Sequence, residues 1–153
     1  VRIEHVGTQF FTERFDDRVQ VRVRDGVVRL SRGGESLQID RGESGVAAFD
    51  PTQPLTRSAT AVTGTEWHWA ETLAPRIAVE GRSLEAVLAE IAYESGATLR
   101  FDGAESEAAA ASTVLHGPAI RLAPRAALRA VLATTELQLI ESGGDAEFLI
   151  GTR

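Results

Sequence analysis

The feature that most limits what this chain can fold into is a change of hydrophobic period partway along it. Through the first 50 residues the period is two. Val19, Val21 and Val23 alternate with Gln20, Arg22 and Arg24, giving one apolar and one solvated face. Val28 and Leu30 flank Arg29 in the next run, and Leu37 and Ile39 mark a further one. Turn-forming groups separate the runs. Asp25-Gly26 reads as a hairpin turn, since both of its positions need positive φ; Arg32-Gly33-Gly34-Glu35 and Arg41-Gly42-Glu43 follow. Residues 46–49 close the series. Short strands at this spacing predict an antiparallel all-β unit. Residues 50–65 are punctuation rich in Pro, Ser, Thr and Gly, and in Trp67-His68-Trp69 strand alternation resumes with both indoles on one side.

From Ile77 the period lengthens. Ile77 and Val79 read as a short strand ended by Gly81, and Ser83 suits a helix N-cap. Leu84, Val87, Leu88 and Ile91 then fall on one stripe of a helix, with Glu85 in the first turn and Gly96 placed for a left-handed cap. Leu99 and Phe101 form the next strand, and residues 105–112, with four consecutive alanines, read as loop or frayed helix. A second copy comes about 40 positions later: Pro124 at a helix start, Leu128, Val131 and Leu132 on its stripe, then Leu137 and Leu139 as a strand. Ser142-Gly143-Gly144-Asp145 reads as a hairpin turn into a last strand holding Phe148 and Ile150. The fold class is therefore α+β. An antiparallel β unit with its linker occupies residues 1–72, and a small two-layer α/β domain of two βαβ repeats, its helices on one small sheet, occupies residues 73–153.

Composition narrows the chemistry. Of 153 residues 43% are hydrophobic and 25% charged, a globular balance. There is no Cys, which excludes a disulfide framework, a thiolate metal site and a cysteine nucleophile. All 16 basic residues are Arg and the net charge is −6, so nucleic acid is not expected as a partner. No apolar run reaches the roughly 20 residues needed to span a bilayer. The chain opens without Met in a strand-like stretch, so it is expected to be cut from a longer protein that holds any anchor.

His5, His68 and His116 have no ligand-like spacing, and no metal or cofactor is expected. Gly42-Glu43-Ser44-Gly45 is a turn rather than a nucleophile elbow, and Gly33-Gly34 and Gly143-Gly144 join strands rather than open a phosphate-binding helix. Asp16-Asp17 and Glu105 with Glu107 lie in solvated stretches. No nucleophile, base and orienter assemble, so an enzyme is not expected. Trp67 and Trp69 are a candidate domain junction, or else a stacking platform for a sugar or a partner protein.

Two stretches resemble a known family. Val6-Gly7-Thr8-Gln9-Phe10, followed by Val21-x-Val23-x-x-Gly26-x-Val28-x-Leu30, looks like the end of the FecR domain, where a Gly-Thr-x-Phe turn precedes a Val-rich hairpin with this Gly. Residues 77–151 resemble the small C-terminal domain of FecR-like proteins, which is related to the secretin and TonB short N-terminal fold. The resemblance implies a periplasmic signal-relay module in a parent anchored in the inner membrane, regulating an extracytoplasmic-function sigma factor through a cytoplasmic tail that this chain lacks. It implies as partner the N-terminal signalling domain of a TonB-dependent outer-membrane receptor, often one for an iron chelate.

Candidate contacts for that partner are Leu137, Leu139, Phe148 and Ile150, which the alternation alone reads equally well as core. The alternative is a carbohydrate- or envelope-binding module using Trp67 and Trp69. The FecR domain has further strands upstream of the Gly-Thr-x-Phe turn. Without them Val19, Val21 and Val23 are expected to lose cover, and the β unit to self-associate through an exposed edge.

Overall fold

The computed structural model describes residues 1–73, 75–140 and 146–153. It divides into two compact units, Val1–Val62 and Thr63–Arg153. Residues 56–59 pair with the first unit as its last strand, and residues 63–72, drawn with the β unit from the sequence, group with the second. The fold class is α+β.

The first unit consists of β1 (Arg2–His5), β2 (Gln9–Arg14), β3 (Arg18–Asp25), β4 (Val27–Arg32), β5 (Glu35–Asp40), β6 (Glu43–Ala48) and β7 (Thr56–Ala59). They form two antiparallel sheets, ordered β1-β4-β5 and β2-β3-β6-β7. Both sheets turn their apolar faces into one core: Val21 and Val23 of β3 and Ala47 of β6 meet Val28 and Leu30 of β4 and Ile39 of β5. Gly45 of β6 sits where a Cβ would fall on the Ile39 side chain, so the missing side chain sets how closely the layers approach.

Gly33 and Gly34 make a true two-residue hairpin between β4 and β5, at φ 56° and 95°, with Arg32 paired to Glu35. Asp25-Gly26 does not make a hairpin. β3 pairs with β2 and β6, β4 pairs with β1 and β5, and the single residue Gly26 (φ 81°) carries the chain from one sheet to the other. Positive φ is what a corner and a hairpin have in common, so the dipeptide alone does not separate them. Arg41-Gly42 is a second such corner, between β5 and β6.

The expected loss of cover over β3 is also absent. Val21 and Val23 are fully buried and Val19 nearly so, and β3 has a neighbour along both edges. Two arginines finish the packing. Arg32 donates from its guanidinium to the carbonyls of Ala48, Asp50 and Gln53 and so holds the loop after β6, while the buried Arg24 donates from Nε to the Val62 carbonyl at 3.0 Å.

The second unit begins with a 3-10 turn (Thr65–Trp67) running into α1 (His68–Leu73). It continues with β8 (Arg82–Ser83), α2 (Leu84–Ser95), β9 (Thr98–Phe101), α3 (Ala104–Ser112), β10 (Val114–Leu115), α4 (Pro124–Leu132), β11 (Leu137–Ile140) and β12 (Glu147–Thr152). α2 starts where Ser83 Oγ accepts the Ala86 N–H at 3.2 Å, and it ends at Gly96 in the left-handed conformation, φ 71°. Leu84, Val87, Leu88 and Ile91 are buried on one stripe, and Ala127, Leu128, Val131 and Leu132 of α4 bury the matching stripe. The alanine-rich stretch is helical, as α3, and buries only Ser106 and Ala110.

Strand, helix and strand recur twice, but the strands of each repeat enter different sheets. Those before the helices pair in one small ladder, β8 with β10 and Ile77 with Ile120. Those after the helices lie in a three-stranded sheet ordered β11-β12-β9, antiparallel on the β11 side and parallel on the β9 side. The helices and both ladders enclose one core. The turn read at residues 142–145 lies outside the described residues.

Candidate functional site

The side chains with potential for chemistry are dispersed. His5 stacks at 4.7 Å on the Phe10 ring, and His68 opens α1. His116 Nδ1 lies 3.0 Å from Glu80 Oε1, while Glu80 Oε2 accepts the Gly117 N–H at 2.9 Å. The hydrogen bonds from His116 and then from Gly117 hold the Glu80 carboxyl below its usual range. This exposed clip closes the end of the β8–β10 ladder. Ser44 is buried in β6 and accepts a hydrogen bond from Gln20 Nε2 at 2.9 Å, a sheet contact. Among the described residues no three His, Asp or Glu side chains gather as they would around a metal ion. No helix among them is long and apolar enough to cross a membrane.

The four candidate contact residues occupy β11 and β12. Leu137, Phe148 and Ile150 are core members, and Leu139 packs against that core. Their side chains are thus engaged within the unit, and β12, with β11 on one side and β9 on the other, has no free edge. β11 differs. It lies at the end of the sheet, and the direction of its backbone groups follows from one hydrogen bond. Arg153 N donates to Glu136 O at 3.0 Å, which makes Glu136 and Arg153 a hydrogen-bonded pair. In an antiparallel ladder such pairs alternate, so with the observed register Gln138 and Ile140 bond to β12 while Leu137 and Leu139 turn their backbone groups outward. The Leu137 N–H is taken by Thr135 Oγ1 at 3.2 Å. Among the described residues the Leu137 C=O and both polar groups of Leu139 have no strand to pair with. The alternation of leucines locates the strand; which backbone groups face outward depends on the register with β12, which the alternation does not carry.

Trp67 and Trp69 do not form a strand. They lie in the 3-10 turn and in α1, where positions i and i+2 point to different sides. Trp67 is buried at 2% exposure and Trp69 is 44% exposed, so the two indoles do not share one open face. A two-ring stacking platform is therefore absent.

No family model matches the chain, and no curated protein does. Among solved structures the chain is similar to two crystal structures, at 2.50 and 1.65 Å resolution, of a "putative anti-sigma factor" from Parabacteroides distasonis ATCC 8503. Each alignment covers 99% of this chain and 67% of the other, at 11% identity and a TM-score of 0.42. No residue role passes from those proteins to this one.

Proposed function

We propose that the chain is a non-enzymatic interaction module, the periplasmic part of a FecR-like regulator of an extracytoplasmic-function sigma factor. Its second unit receives the N-terminal domain of a TonB-dependent outer-membrane receptor by strand addition along β11. The observation that carries this reading is the open edge of β11, where the Leu139 N–H and C=O and the Leu137 C=O point away from the sheet. A strand laid there completes main-chain pairs that each contribute about 1 kcal/mol net. None of its four residues, Leu137–Ile140, is charged or Pro. Regulation of the sigma factor passes through a membrane anchor and cytoplasmic tail outside this chain.

A two-hybrid or pull-down assay against receptor N-terminal domains tests the reading, with Leu139→Pro as the deciding variant. An edge strand tolerates Pro where the N–H faces solvent, so this change removes the outward donor and spares the ladder to β12. The expected result is a folded chain that has lost the receptor domain. A folded Leu139→Pro chain that binds undiminished rules out β11 as the contact.

A further inference from the structure

The two ends of the β1-β4-β5 sheet differ in how their backbone groups are met. The direction of those groups follows from the Gly33-Gly34 hairpin, which makes Arg32 and Glu35 a hydrogen-bonded pair. Such pairs alternate along an antiparallel ladder, so Glu35, Leu37 and Ile39 bond to β4 while Ser36, Gln38 and Asp40 turn outward. Side chains of the other sheet take up two of these outward groups. Asp40 N donates to Glu43 Oε2 at 2.9 Å, and Gln38 O accepts from Arg57 Nη1 at 3.4 Å. Glu43 and Arg57 also pair with each other at 3.4 Å, so one ion pair from β6 and β7 covers the β5 end.

The β1 end is open. By the same alternation Arg29 and Ser31 of β4 face β1, and with the observed register Glu4 and Arg2 bond to them. Ile3 and His5 therefore turn N–H and C=O away from β4, and among the described residues no strand pairs with them. The side chains of β1 sort by face. Ile3, opposite the buried Leu30, packs half-buried against the core, whereas Arg2 and Glu4 are exposed and stand against each other at 2.6 Å.

We propose that the open edge of β1 pairs with β1 of a second copy of this chain, antiparallel about a two-fold axis at Ile3. Charge selects both the occupant and the register. Hydrogen-bonded pairs form only between residues whose groups face outward, so one residue of β1 must lie on the axis. An axis at Arg2 or at Glu4 sets like charges face to face, which is destabilising, and an axis at His5 gives Arg2 no partner within β1. An axis at Ile3 sets Arg2 of each copy opposite Glu4 of the other, so that four charges alternate in sign. It also brings the two half-buried Ile3 side chains together on the core face. No other strand at a sheet end holds an Arg and an acid an even number of residues apart, so none repeats this match with itself. The product is one six-stranded sheet across a closed, isologous interface. The contact lies on the first unit and does not involve β11, so it stands or falls separately from the receptor reading.

Sedimentation equilibrium of the whole chain, at low and at physiological salt, tests the proposal. The wild type is expected to form a dimer as its concentration rises, less readily at the higher salt. Arg2→Glu and Glu4→Arg, each checked for folding by circular dichroism, are each expected to dimerise roughly tenfold or more weakly. Either change turns two attractive cross-strand pairs into two repulsive ones. Mixed in equal amounts, the two variants should regain the wild-type affinity as a heterodimer, because each supplies the charges that the other lacks. The double swap Arg2→Glu, Glu4→Arg should also dimerise as the wild type does. Arg100→Glu makes the same charge change on the exposed surface of the second unit and is expected to leave the dimer as it is. A wild type that stays monomeric at millimolar concentration overturns the proposal. So do single variants that dimerise undiminished, or a mixture no tighter than either variant alone.

Discussion

Gly45 and Glu80 show how much single residues decide in this chain, each for a different reason. At Gly45 the constraint is space alone, because an added methyl would meet the buried Ile39 side chain in the sandwich core. Gly45→Ala is expected to cost roughly 1–3 kcal/mol, the usual penalty for overpacking, read as a lower denaturant midpoint at unchanged slope. Gly26 adds a conformational constraint, since its φ is 81° and a Cβ would lie 2.6 Å from Thr8 Cγ2. Gly81, at φ 70° with open space around its Cβ position, is the milder case, and Gly26→Ala should destabilise more than Gly81→Ala.

Glu80 makes a prediction in pH. Its folded pKa is depressed, chiefly by the hydrogen bond with His116, so what the clip contributes is present above the ordinary glutamate range and is lost as pH falls through the folded value. His116→Ala should move the Glu80 titration, followed by carboxyl carbon NMR shifts, up toward the ordinary range. An unmoved titration means that the clip is not formed in solution.

Among the elements, α2 and α4 carry the core of the second unit, and their phase is the sharpest structural statement to test. Leu88 and Leu128 are fully buried at matching points of the two helices, so Leu88→Ala or Leu128→Ala should cost about 2–5 kcal/mol. Arg129→Ala, one position past Leu128 and facing solvent, should change stability little. Equal drops in melting temperature for Leu88→Ala and Arg129→Ala would put the helix phase in error.

These helices were legible in the sequence because their signals are local: Ser83 three residues before an N–H it caps, Gly96 one residue past the last turn, apolar side chains spaced by 3.6. The corners of the β unit were not legible. Asp25-Gly26 is locally identical in a hairpin and in a sheet-to-sheet turn, and only the non-local pairing of β4 with β1 and β5 separates the two. Trp67-His68-Trp69 misled for the complementary reason, since three alternating residues fit a short helix as well as a strand. The outward groups of Leu139 belong to the same non-local class: they depend on one register fixed by Arg153 and Glu136.

At the scale of the whole molecule, all of the net negative charge lies on the second unit, which also carries the proposed receptor contact, the β11 edge. The recognition proposed there rests on main-chain pairing, which requires no metal. Addition of a chelator is therefore expected to leave the melting temperature unchanged; a fall restored by one divalent cation would show histidines and carboxylates converging on an ion. The central claim, strand addition at β11, is tested most directly by backbone amide exchange followed by NMR. In the free chain the Leu139 amide should exchange rapidly, because it faces away from β12. With a TonB-dependent receptor's N-terminal domain bound, it should become protected while the already paired amides of Gln138 and Ile140 change little. A complex in which the Leu139 amide keeps its free exchange rate would contradict the account.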